Sequence, residues 1–193
     1  MSWMQTASGR KFSFTNPKPE DIELLDISVA LSTMMRFNGH IKDHYTVAHH
    51  SVNLALLIQE NFKSFFPQDK LDIMMLEALM HDAAEAYTGD IISPLKFFLK
   101  KDLKPIEDKI NQAIAKKFNL TYPYSRIVYE YDKLICGVEA FNLLHNPPID
   151  SFHIELCPHH RLLQRKLEMD VDYFEFTKKI LDRVNDRVSA KKN

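Results

Sequence analysis

Residues 68–96 read QDKLDIMMLEALMHDAAEAYTGDIISPLK. Ile73, Leu76, Leu79 and Met80 recur at helical spacing, which predicts an amphipathic helix from about Gln68 to Tyr87. Thr88-Gly89 supplies its stop, since glycine relieves the left-handed turn at a helix C-terminus. His81 and Asp82 sit side by side near the end of this helix, followed by Glu85 and then Asp90. Successive helical residues are about 100° apart, so an adjacent histidine and aspartate can reach one ion. Glu85, four residues after His81 and three after Asp82, returns to the same face.

Working outward, the chain keeps the same helical period. Ile27, Ala30, Leu31 and Met34 predict a helix beginning near Asp26 and failing at Phe37-Asn38-Gly39. Another runs from about Thr46 to Phe62, with Val47, His50, Ser51, Leu54, Leu57 and Ile58 on one side. Pro94 interrupts a short loop, and Pro105 can open a further helix to about Phe118. Ser125 to Leu144 and Val171 to Val188 complete the set. The first 20 or so residues read as irregular, broken by Gly9, Pro17 and Pro19. No segment alternates cleanly enough to predict a strand, so the expected class is all-α.

The bulk numbers bound the function. The 193 residues fit one domain, with 45% hydrophobic residues for a core and 26% charged for a surface. The formal net charge of -1 writes in no global attraction to nucleic acid or membrane. A small anionic substrate therefore needs a local cation cluster or a metal. Cys136 and Cys157 form no short-spaced pair and read as reduced thiols. With no signal-peptide core and no apolar run of spanning length, the expected location is cytoplasmic. Four glycines leave little for a glycine-rich phosphate loop.

Two further positions give the His-Asp pair its meaning. Alone, such a pair is more often a surface ion pair, and a mid-helix histidine such as His50 as readily a satisfied core residue. Asp132, in YEYDKLICGVEA, shares a face with Ile135, Cys136 and Ala140, and an inward aspartate needs a cation, a metal or several hydrogen bonds. His50, His81, Asp82 and Asp132 thus form the order H…HD…D on three helices, and one metal ion explains all four. Imidazole with carboxylate suits Mn, Fe, Co, Zn or similar divalent ions.

In this order, and in RFNGHIKDHYTVAHHS, ALMHDAAEAYTGDIISPLK and YEYDKLICGVEA, the chain resembles the HD superfamily of phosphohydrolases. The resemblance covers about residues 26–144, making 145–193 a C-terminal helical extension of a single compact helical bundle. Its neighbourhood holds bacterial 5′-deoxynucleotidases, phage dATP triphosphohydrolases and the phosphohydrolase of oxetanocin A biosynthesis. The N-terminal SGRKFSFTNPKPEDIELLD is similar to a bacterial and phage subgroup.

The resemblance implies that His50, His81, Asp82 and Asp132 hold one divalent ion (Co, Mn, Fe, Zn or Mg), with a second ion arriving on substrate phosphates in some cases. The motif register selects His50 over His49. It further implies that Glu85 positions the attacking water or acts as acid or base, and that Asp90 assists. Arg36 would grip phosphate, Lys96 the distal phosphates, and Phe37 would contact base or sugar. His40 and His44 stand as loop residues or phosphate contacts; His145, His153, His159 and His160 read as structural or surface residues. The basic tail with Lys178, Lys179, Lys191 and Lys192 reads as a solvated face. The expected substrates are purine (deoxy)nucleoside tri-, di- or monophosphates, or an analogue such as oxetanocin A triphosphate. Lys96 tilts the choice towards triphosphates. The alternatives are a 5′-deoxynucleotidase restricted to deoxynucleoside monophosphates and a non-catalytic nucleotide-binding module. A homo-oligomer is compatible with the family, though no segment specifies one.

Overall fold

The structure is a computed structural model that describes residues 2–147 and 160–190. A two-strand hairpin, β1 (Trp3–Gln5) and β2 (Lys11–Ser13), precedes α1 (Leu24–Thr33), α2 (Val47–Phe62), α3 (Gln68–Met80) and the short α4 (Glu85–Thr88). Then come α5 (Ser93–Lys117), α6 (Arg126–Leu143), the short α7 (His160–Leu163) and α8 (Tyr173–Ala190). The class is all-α, as the periodicity requires. None of the described helices is long and apolar enough to cross a membrane.

The hairpin is a correction to the irregular N-terminus expected from sequence. Its antiparallel strands are three residues each, too short for alternation to show. Phe12 anchors it, fully buried and stacked on Tyr87 at 3.8 Å between ring centroids. Asp26 completes the anchor by accepting from the Ser8 backbone N–H at 2.6 Å and from its hydroxyl at 2.8 Å. The expected helix start at Pro105 is also corrected. Pro94 occupies the first turn of α5, and Pro105 lies inside that helix on its exposed face. A proline there removes one internal bond, but water can satisfy the freed carbonyl on an exposed face.

The helix expected to reach Tyr87 stops at Met80. Residues 81–84 form a tighter turn, with bonds from Ala83 N to Met80 O and from Glu85 N to Asp82 O. At about three residues per turn, positions i and i+3 eclipse. The tightening therefore aligns Glu85 with Asp82 rather than with His81.

Helix α2 starts where Thr46 caps it: the Thr46 side chain accepts from His49 N, and the His49 side chain accepts from Thr46 N. Its buried face (Val47, Leu54, Leu57, Ile58) packs on that of α3 (Leu71, Met75, Leu76, Leu79). Helix α8 closes the other side of α3, where Tyr173 donates to Leu79 O at 2.6 Å. Asp72, fully buried on α3, accepts from Arg183 at 2.7 Å and Arg187 at 2.6 Å. Burial opposes its ionisation, but Arg183, Gln68 and Arg187 together hold its carboxyl below the ordinary range. This contribution to stability is present at neutral pH and is lost as pH falls through the acid range. Asp72→Ala is expected to lower stability by about 2 kcal/mol at neutral pH, because both arginines lose their buried partner. Urea unfolding measures the loss, which should shrink at acid pH.

Candidate metal centre and substrate pocket

Two helices and one turn deliver the donors. His50 projects from the first turns of α2, His81 and Asp82 from the turn after α3, and Asp132 from α6. His50 Nε2 lies 3.2 Å from His81 Nε2, 3.2 Å from Asp132 Oδ1 and 3.6 Å from Asp82 Oδ2. His81 Nε2 lies 3.1 Å from Asp82 Oδ2 and 3.8 Å from Asp132 Oδ1. Ligands at about 2.0–2.2 Å from an ion sit roughly 3–3.5 Å from one another, so these separations fit a shared divalent cation. His50, His81 and Asp132 alone keep their donor atoms within 4.8 Å of one another, and Asp82 adds a second carboxylate.

The neighbouring histidine is employed elsewhere. His49 Nδ1 accepts from Thr46 N at 3.1 Å and its Nε2 donates to Met169 O at 3.0 Å. Both ring nitrogens are used, so His50 is the one brought to the cluster.

Each imidazole is oriented by its other nitrogen. His81 Nδ1 donates to Ala78 O at 2.7 Å, and His50 Nδ1 donates to Glu139 Oε1 at 2.7 Å. Such bonds fix tautomer and ring orientation and leave Nε2 for a metal. Glu139, fully buried on α6, also accepts from the Tyr45 hydroxyl at 2.8 Å and from Arg36 at 3.1 Å. Sequence reasoning missed it. The available signal was its place seven residues, or two turns, after Asp132 on the same face of α6.

The electrostatics of the cluster are self-compensating. Burial and the Arg36 charge oppose protonation of His50, but Glu139 and Asp132 overcome them and lift it to about 9. Burial likewise opposes the charge on His81, yet Asp82 and Asp132 raise it well above the usual imidazole range. Burial disfavours ionised Asp132 and Asp82, while His50 and His81 pull both well down. Positive charge at this spot is thus required by the surroundings, whether proton or metal supplies it.

A cavity of about 730 Å³ opens beside the donors, lined by Asp82, Glu85, Asp90, Arg36, Phe37 and Lys96 among others. All nine sequence-derived site residues therefore meet at this cavity or the donor cluster behind it. Arg36 leaves Nε unpartnered among the described residues, and Phe37 beside it has φ 52, a strained value for a bulky residue. Glu85 is buried, with Oε2 unpartnered and Oε1 3.0 Å from Lys96 Nζ. Burial and the Asp82 charge push Glu85 up to about 8, against the pull of Lys96. Burial also raises Asp90, with Arg36 opposing. Lys96 is shared: its Nζ also lies 3.1 Å from Glu107. Lys133, His40 and Cys136 complete the wall, the first of these unforeseen from sequence. His44 packs edge-on against His49 away from the cavity, and His145 is exposed. His153, His159, Cys157, Lys191 and Lys192 lie outside the described residues, as does the His160 side chain.

Glu139→Gln keeps the shape but removes the charge that holds the His50 imidazole. The expected result is divalent-ion affinity weakened by about 10- to 100-fold with the fold retained. Isothermal titration calorimetry with Mn²⁺ or Co²⁺ measures it.

The comparisons with known proteins agree with this geometry. An uncharacterised protein, YfdR, of Escherichia coli (strain K12) is 37% identical over 143 residues, covering 74% of this chain and 73% of that protein. An uncharacterised protein, RCAP_rcc00048, of Rhodobacter capsulatus is 32% identical over 145 residues, covering 72% of this chain and 71% of that protein. The model of the 5′-deoxynucleotidase YfbR-like family matches residues 29–141, the span from α1 through α6 that carries every donor described above. The chain belongs to the YfbR-like 5′-deoxynucleotidase family of HD-superfamily phosphohydrolases.

Proposed function

We propose that the chain hydrolyses the 5′-phosphate of deoxynucleoside monophosphates, with a divalent ion held by His50, His81, Asp82 and Asp132. The observation that carries this reading is the one cavity lined by two aspartates of the donor cluster, a buried carboxyl and an arginine. A bound ion supplies Lewis acidity and a lowered water pKa. Arg36, which lines the cavity, grips the phosphoryl oxygens and stabilises the charge that grows on them. Glu85 exchanges a proton with the attacking water, and Asp90, raised by its burial, assists from nearby. Phe37, with Ile91, Ile92 and Leu144, offers the apolar wall for sugar and base.

The lysine that favoured triphosphates in the sequence supports monophosphates better in three dimensions. Lys96 is already shared by Glu85 and Glu107, so its charge is largely spent before any distal phosphate arrives. Intact Glu85 and Asp90 beside the donors favour an enzyme over a binding module.

Phosphate release from deoxynucleoside mono-, di- and triphosphates with Co²⁺, Mn²⁺, Mg²⁺ or chelator tests the reading. The expected outcome is metal-dependent release that is fastest with monophosphates; faster release from triphosphates would overturn it. Glu85→Ala should keep metal binding and lose most turnover, about 100-fold or more. The pH dependence has a stated sign. An ion beside Glu85 draws its value down, so the loaded enzyme has its Glu85 limb below about 8. Lys96→Met removes a cation that favours the carboxylate and should move that limb to higher pH.

A further inference from the structure

A second cavity, of about 630 Å³, lies on the far side of Lys96. It shares Ser93 and Lys96 with the first, and His81 of the donor cluster forms part of its wall. The two cavities therefore border the donor cluster through different members, Asp82 and Asp132 in the first and His81 in the second. A deoxynucleoside monophosphate needs only one of them, since about 300–1,000 Å³ suffices for a small ligand. Phe97, Tyr122 and Tyr129 line the second, together with Lys100 and Lys104. Its buried Asn111, only 8% exposed, keeps Oδ1 unpartnered among the described residues, an acceptor for an N–H or O–H donor.

We propose that this cavity receives the second half of a phosphodiester, a base-sized aromatic group joined through the scissile phosphate to a deoxynucleoside in the first cavity. The proposal rests on the deoxynucleotidase reading of the first cavity. Charge selects a diester over a polyphosphate tail. Lys96 is compensated by Glu85 and Glu107, and Lys104 by Asp108 at 2.8 Å. What remains suits the single negative charge of a diester and opposes the several charges of a polyphosphate. The aromatic lining suits a stacked ring.

The reaction consumes one water. Its oxygen bonds to phosphorus, and its proton passes to Glu85. The P–O bond to the second group breaks, and the departing oxygen takes a proton from the Lys96 ammonium. Glu85, 3.0 Å away, returns its proton to Lys96. The products are an alcohol and a deoxynucleoside monophosphate, the latter already in the cavity where its own phosphate can be removed. The class of reaction that supplies this protein is thus one that leaves small phosphodiesters.

The test uses the full chain with Mn²⁺ or Co²⁺ and the 4-nitrophenyl esters of dTMP and dAMP. Nitrophenolate release reads the diester step, and phosphate release from dTMP and dAMP reads the monoester step. The expected result is metal-dependent nitrophenolate release from the wild type. In the double variant Phe97→Ala/Lys100→Ala, two exposed positions outside the donor cluster, KM for the diester should rise about tenfold. That variant should leave kcat/KM for the monophosphates unchanged. Hydrolysis of monophosphates with no nitrophenolate release overturns the second cavity's role and leaves the deoxynucleotidase reading standing. Diester cleavage that the double variant leaves unchanged also overturns it. Silence on both substrate sets overturns both readings together.

Discussion

Glu139 is a carboxylate with no exposure to solvent, held by a histidine, a tyrosine and an arginine. A buried charge of this kind is stable only while its partners stay in place. Here the partners come from three places in the chain: Arg36 from the turn after α1, Tyr45 from the approach to α2, and His50 from α2 itself. One buried anion therefore fixes the imidazole of the donor cluster and the guanidinium of the cavity wall relative to each other. Burial works against the Glu139 charge, and the His50 and Arg36 charges more than offset it, lowering its pKa. Removing Arg36 leaves a buried carboxylate without its cation, and removing Tyr45 leaves it short of a hydrogen bond where water cannot reach.

Around this anchor the site separates two kinds of carboxyl. Asp82 and Asp132 face the imidazoles and stay ionised, fit to hold a cation. Glu85, one tight turn on from Asp82, is buried beside that same negative charge and holds its proton far above the acid range. The difference comes from placement along four residues of chain. Two like carboxyls pushed apart in proton affinity are the usual basis for dividing ligation from proton transfer. Lys96 limits the separation by bonding Glu85 directly, and Glu107 in turn limits Lys96. The rest of the bundle serves to keep these distances: α2 and α3 share their apolar faces, and α8 locks α3 through Tyr173 and Asp72.

Much of this was legible in the sequence. The 3.6-residue period located α2, α6 and α8 to within about two residues and the start of α3, though not its end, and Thr46 marked the start of α2 because its capping chemistry is local. The order of His50, His81-Asp82 and Asp132 placed a donor set on separate helices. What the pattern could not show is what depends on turn geometry or on contacts distant in the chain. The tight turn at residues 81–84 decides that Glu85 follows Asp82, and no residue type there announces it. Glu139 reads as one of three acids on α6 until Arg36, some hundred positions away, is seen beside it. The three-residue strands of the hairpin are shorter than any alternation signal. Lys96 carried a correct place but an incomplete environment, because Glu107 lies eleven residues further along the same helix.

The central claim is that His50, His81, Asp82 and Asp132 hold one divalent ion. X-ray absorption spectroscopy of the protein loaded with one equivalent of Co²⁺ tests it directly. The account predicts two imidazole nitrogens together with carboxylate and water oxygens at about 2.0–2.2 Å. The imidazole scattering should drop in His50→Ala and persist in His49→Ala. A shell of oxygens alone, or imidazole scattering unchanged in His50→Ala, would contradict it.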